Sequence, residues 1–156
     1  MCSSDLMQAG ERYFELVDTG GIGIVDSDDL SADIERQIQA GLEQADLILF
    51  VVDAQAGVVP LDHEVARRLR PLGKTVLMVV NKADSEKYES MAPEFFALMD
   101  VPLVATSVTA ERNRDRLLMK ILDLLPPPAE DEDIEGEKIS ADPELKLAIV
   151  GRRNVG

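Results

Sequence analysis

A chain of 156 residues holds enough material for one ordinary domain with a full core, and 46% hydrophobic with 29% charged residues places it in the soluble globular class. A net charge of −14 argues against a bare nucleic-acid-binding surface, so DNA is not an expected partner. The single cysteine, Cys2, excludes an internal disulfide and a cysteine metal cluster; no apolar stretch approaches the roughly 18 to 20 residues of a membrane span and no signal peptide is visible, so a reducing, cytoplasmic setting is expected.

The opening Met1 to Leu6 shows no hydrophobic periodicity, precedes a second methionine, Met7, and reads as a non-native leader. Tyr13 to Val17 is a short strand ending at Asp18. Residues 28–44 carry Leu30, Ile34, Ile38 and Leu42 at steps of four, one face of an amphipathic helix. Leu47 to Val52 is apolar without alternation, as in a parallel strand covered on both faces. Leu61 to Arg70 is helical, with Pro71 and Gly73 stopping it. Thr75 to Val80 is the next buried strand, followed by a helix around Pro93 to Met99 and a strand from Val101 to Thr106. The last helix, Arg114 to Leu125, turns Leu117, Leu118, Ile121, Leu122 and Leu125 inward. Alternating strands and helices predict an α/β fold with a mostly parallel sheet and helices on both faces.

Pro126, Pro127 and Pro128 end that helix. Residues 126–144 then hold Glu130 to Asp133, Glu135, Glu137, Asp142 and Glu144, the composition of a solvated acidic linker with almost nothing to bury. A new strand begins at Leu145 and runs to Val150, leading into Gly151-Arg152-Arg153-Asn154-Val155-Gly156.

Four places carry chemistry. Asp18-Thr19-Gly20-Gly21 follows a strand, where phosphate-site loops of α/β folds lie; Asp18 can hold Mg²⁺ through water, and Gly21 lets a backbone N–H approach a γ-phosphate. Asn81-Lys82-Ala83-Asp84 follows the strand from Thr75. The Asp84 carboxylate can accept from guanine N1–H and from the 2-amino group, whereas adenine would leave it unpaired. A site built this way rejects the wrong base by around 10⁴-fold or more. Asn81 would fix the loop, and the stem of Lys82 would cover the ring face. Ser107 and Val108 end the next strand and can offer a backbone N–H to guanine O6. Gly151 to Gly156 matches the first six residues of Gly-x-x-x-x-Gly-Lys-Ser/Thr, the loop that wraps phosphates with backbone N–H groups. His63 sits at a polar helix start with no nucleophile or acid arranged near it and is expected on the surface.

Taken in sequence order, these residues resemble the Der (EngA) family of bacterial GTPases with two GTP-binding domains in tandem. Asp18-Thr19-Gly20-Gly21 resembles its third GTPase motif, Gln44 to Asp53 a segment of the same place, Asn81-Lys82-Ala83-Asp84 its guanine motif, and Ser107-Val108 its Ser-Ala position. The acidic linker followed by Gly-x-x-Asn-Val-Gly resembles the approach to the second GTPase domain, although Arg153 stands where the family usually has Pro. The resemblance runs from about Glu11 onward. It implies an incomplete P-loop GTPase domain over residues 7–125, without its phosphate loop and first switch, and the start of a second domain at 145–156. It further implies GTP or GDP as ligand, with Mg²⁺ at Asp18 and K⁺, the latter at Asn154 in the second domain. Gly151, Asn154 and Gly156 would then belong to the second nucleotide site. The partner implied for the full-length protein is the large ribosomal subunit, during its assembly. Ile22 follows Gly21 where Ras-like enzymes place a water-orienting Gln, so no catalytic residue is assigned. Two alternatives stand: a non-hydrolysing module that docks on the ribosome or a partner, and a related GTPase of the Era or MnmE type, which the linker and the loop beginning at Gly151 disfavour.

In such folds the first strand lies between the strands ending at Asp18 and Asp53. Leaving that slot empty would strand unpaired backbone groups in the sheet, so the piece is expected to be unstable unless Leu145 to Val150, the equivalent strand of the second domain, fills it. Even then no Lys or Ser completes the phosphate loop, and weak guanine-nucleotide binding without useful hydrolysis is expected.

Overall fold

The computed structural model describes residues 3–9, 12–19, 30–127 and 145–152. Its strands are β1 (Ser3–Ala9), β2 (Arg12–Asp18), β3 (Leu47–Asp53), β4 (Thr75–Asn81), β5 (Leu103–Ala105) and β6 (Lys146–Gly151). Its helices are α1 (Leu30–Gln44), α2 (Pro60–Leu69), α3 (Glu86–Met91) and α4 (Arg114–Leu124). They build an α/β fold around one six-stranded sheet in the order β1-β2-β6-β3-β4-β5. All pairings are parallel except that of β1 with β2.

The last strand therefore fills the central slot. β6 pairs with β2 through Glu15↔Lys146 to Asp18↔Ile149, and with β3 through Leu47↔Leu147 to Val51↔Gly151. Further bonds pin the start of β6: Glu15 N–H donates to the Leu145 carbonyl at 2.9 Å, Asp46 N–H to the Lys146 carbonyl at 2.8 Å, and Lys146 N–H to Asp46 Oδ2 at 2.7 Å. Near its other end, the Thr19 hydroxyl donates to the Ile149 carbonyl at 2.7 Å.

Unbroken apolar runs in β3, β4 and β6 follow from burial on both faces, since successive side chains point to opposite sides of the sheet. Ile48, Phe50, Val52, Met78, Val80, Ala148 and Val150 enter one core, against Ile38 and Leu42 of α1, Val65 and Leu69 of α2, and Phe95 and Leu98. Leu47, Leu49, Leu77, Val79 and Leu147 enter the other, against Ile121 of α4 and Leu125. The side chains of Leu30 and Ile34 lie outside what is described.

Three local features differ from the sequence reading. Ser3 to Leu6, within the segment read as aperiodic, belong to the edge strand β1, which pairs with β2 from Ser3↔Asp18 to Ala9↔Arg12. Edge pairing uses backbone N–H and C=O groups and needs no side-chain period. The helix expected around Pro93 is instead α3 followed by a 3-10 segment, Ala92–Ala97. Leu118 is 38% exposed rather than inward, while Ile121 and Leu125 are buried. Periodicity identifies a stripe on α4, and that stripe is wider than the strip of sheet it covers. At the end of α4 the Arg12 guanidinium donates to the carbonyls of Leu122 and Pro126, satisfying acceptors that a helix terminus leaves open.

Candidate functional site

Because β2, β6, β3, β4 and β5 run parallel, the loops that follow them gather along one edge of the sheet. Ligands of open α/β sheets bind outside the carboxyl ends of the strands, at the point where strand order reverses. Here that point is β6, between β2 and β3.

Asn81 is the last residue of β4, and its side chain is buried. Lys82 follows with φ at 61°, the left-handed region that residues other than glycine enter at a cost. From there its ammonium donates to Asp53 Oδ2 at 2.9 Å. Ala83 N–H donates to the Thr106 carbonyl at 3.0 Å, and Thr106 N–H to the Val80 carbonyl at 2.9 Å. The first bond ties the loop after β4 to the segment after β5, and the second holds that segment against the end of β4. Ser107, itself buried, donates its hydroxyl to Asp84 Oδ1 at 2.5 Å and accepts Ala110 N–H at 3.0 Å. The second oxygen, Asp84 Oδ2, accepts from Gln55 Nε2 at 2.7 Å.

Asn81, Lys82, Asp84 and Ser107 are thus brought together, with Val108, 78% exposed, at the rim. Asp18 ends β2 with its side chain exposed, and Gly151 ends β6 in a buried position. Gly21, Asn154 and Gly156 lie outside the described residues. His63 is exposed, as expected.

Beside the Lys82 turn lies a set of charges that sequence reasoning passed over. Asp53, at the end of β3, is buried and accepts Gln55 N–H at 2.8 Å and Ala56 N–H at 3.1 Å. Arg152 brings Nη2 to 3.6 Å from Asp53 Oδ2 and Nε to 3.8 Å from Asp62 Oδ1. Asp62 is fully buried in the first turn of α2, where Oδ2 accepts Val59 N–H at 3.1 Å. One signal could have found it: an acidic residue in the first turn behind Val59-Pro60 is a helix-start pattern. Nothing comparable marks Arg152, which meets its partners only across the sheet edge.

The two aspartates titrate in opposite directions. Burial pushes the Asp53 carboxyl up, but the Lys82 ammonium and the N–H groups of Ala56 and Gln55 outweigh it, so its pKa falls below the ordinary value. For Asp62 burial prevails over the Val59 N–H and the Arg152 guanidinium, and its pKa rises. Asp53 therefore contributes stability that is present above the ordinary aspartate range and lost as the pH falls through its depressed value. Asp62 contributes in acid, and that contribution is lost as the pH rises through its raised value. Asp53→Asn is expected to unfold at lower urea than the parent at pH 6, with the gap closing as the pH drops below the ordinary aspartate range. A gap independent of pH would deny the ion pair its role.

Comparison with known proteins identifies the family. Residues 3–82 match the family described as 50S ribosome-binding GTPase. Among curated relatives, the chain is 46% identical over 151 residues to "GTPase Der" of Rhodopirellula baltica, covering 97% of this chain and 32% of that protein. It is 43% identical over 149 residues to "GTPase Der" of Trichlorobacter lovleyi, covering 94% and 31%. With "GTPase Der" of Syntrophotalea carbinolica it shares 42% over 143 residues, covering 92% and 31%. The resemblance to the Der family drawn from the motifs is borne out, and the chain spans about a third of the length of these relatives.

Proposed function

Since the chain belongs to the 50S ribosome-binding GTPase family, we propose that the loops after β4 and β5 form a guanine-nucleotide site read by Asp84. One observation carries this reading: the Asp84 carboxylate is braced by the buried Ser107 hydroxyl beside a buried Asn81. The donor set fits guanine. An ionised carboxylate has acceptor capacity on both oxygens, and guanine presents two adjacent donors, N1–H and the 2-amino group. Asn81 holds the loop, the Lys82 stem lies over the ring, and the Val108 N–H meets O6. Adenine offers an acceptor at N1 and no 2-amino group, so it leaves Asp84 unpaired.

Asp18 stands at the phosphate end of the same edge. As one carboxylate at the end of β2, it fits Mg²⁺ held largely through water and nucleotide oxygens, the arrangement Mg²⁺ prefers over an all-protein cage. When bound, Mg²⁺ neutralises phosphate charge, and Asp18 orients its water. K⁺ is assigned to Asn154, as the Der resemblance implies.

For the longer protein the same reading gives two GTPase domains in tandem, with residues 7–125 in the first, an acidic linker at 126–144 and the second starting at 145. That protein hydrolyses GTP in the cytoplasm during assembly of the large ribosomal subunit. The chain by itself binds guanine nucleotide weakly and does not turn it over. Among the described residues no helix is long and apolar enough to cross a membrane. Titrating the chain with GDP and with ADP tests the base site: saturable binding of GDP alone is expected, and equal affinity for both would sink the reading.

A further inference from the structure

The contact that no motif foretold is Gln55 on Asp84. Gln55 follows β3 by two positions, far in sequence from Asp84, and its backbone is fixed by its own N–H on Asp53 Oδ1 at 2.8 Å. Its side chain is exposed, and Nε2 donates to Asp84 Oδ2 at 2.7 Å and to the Lys82 carbonyl at 3.4 Å. Ser107 already holds Oδ1. The Gln55 primary amide thus delivers an N–H to the second carboxylate oxygen, which is the chemistry of the guanine 2-amino group.

We propose that Gln55 is a specificity-determining residue of the base site: in the free protein its amide stands in for the 2-amino donor and must leave Asp84 Oδ2 when guanine enters. The proposal rests on the guanine reading of Asp84. Asp84 is only partly buried, and the Gln55 amide gives its Oδ2 a charge-assisted donor in the empty site. A ligand that brings its own 2-amino group competes with Gln55. A hypoxanthine nucleotide, which has N1–H and no 2-amino group, leaves Gln55 in place and does not compete. Gln55 therefore narrows the preference for guanine over hypoxanthine.

The affinity of a ligand is reduced by the fraction of protein competent to receive it, so a contact occupied about four-fifths of the time weakens guanine binding about fivefold. Gln55→Ala keeps the backbone bond to Asp53 and removes only the amide. Titration of the chain with GDP and IDP is expected to show GDP binding about fivefold tighter in Q55A with IDP unchanged. Equal tightening of both nucleotides, or a GDP affinity that does not change or weakens, would overturn the proposal. If the parent chain separates GDP from ADP while the GDP-to-IDP ratio stays the same in Q55A, only the role of Gln55 falls. If the parent binds neither GDP nor IDP, the guanine reading falls and the role of Gln55 falls with it.

Discussion

Asp84→Asn is expected to lose GDP binding by around 10³-fold or more and to gain affinity for XDP, with both read by calorimetric titration. The carboxylate accepts two donors from guanine; an asparagine there replaces one acceptor with a donor, which faces the guanine amine and repels it. Xanthine carries N1–H and a carbonyl at C2, so it matches an amide that accepts at one atom and donates at the other. The neighbours tolerate the exchange. The Ser107 hydroxyl needs an acceptor on the near side, which Asn Oδ1 provides in place of the present contact. Gln55 can turn its own amide to present an oxygen to the new N–H₂. A D84N chain that still prefers GDP would remove the base assignment, because no other described side chain supplies a paired acceptor at that place.

The second large effect concerns the sheet. Ala148→Asp is expected to abolish the cooperative urea transition followed by circular dichroism. Ala148 is fully buried, with Val17 and Ile48 as its register neighbours on the two flanking strands. A carboxylate there has no partner and no water, and burying such a group costs several kcal/mol, about 4 or more. Domains of this size have only about 5 to 15 kcal/mol to lose. Met119→Asp, on the exposed side of α4, is the matched control and should stay within about 0.5 kcal/mol of the parent. Should A148D unfold like the parent, residues 146–151 would not be part of the sheet.

The predictions draw on different levels of the molecule. Discrimination at Asp84 depends on donor and acceptor chemistry that is visible as a four-residue string, Asn81-Lys82-Ala83-Asp84. The effect at Ala148 depends on the register of a strand whose partners on β2 and β3, Val17 and Ile48, lie far away in sequence. That strand could be anticipated only through the Der resemblance, which says where a first strand belongs; its apolar run alone, Leu147 to Val150, names no neighbour. The pairing of Asp53 with Lys82 lies between these cases: each residue ends a recognisable strand, but only parallel alignment of Asp53 opposite Asn81 brings the next residue's ammonium to the carboxylate.

Local pattern and composition were sufficient for the α/β class, for most of the succession of strands and helices and for singling out Asn81-Lys82-Ala83-Asp84 as a candidate base-reading string, because each depends on side-chain periodicity or on groups a few bonds apart. They were insufficient for β1, whose pairing uses backbone atoms common to every residue, and for the outward turn of Leu118, which reflects how far the sheet extends beneath α4. Equally hidden were the contacts of Gln55 with Asp84 and of Arg152 with Asp53 and Asp62. Such contacts join loops from separate strands, and the distance between two loop residues follows from sheet order and register, which no single stretch of chain encodes.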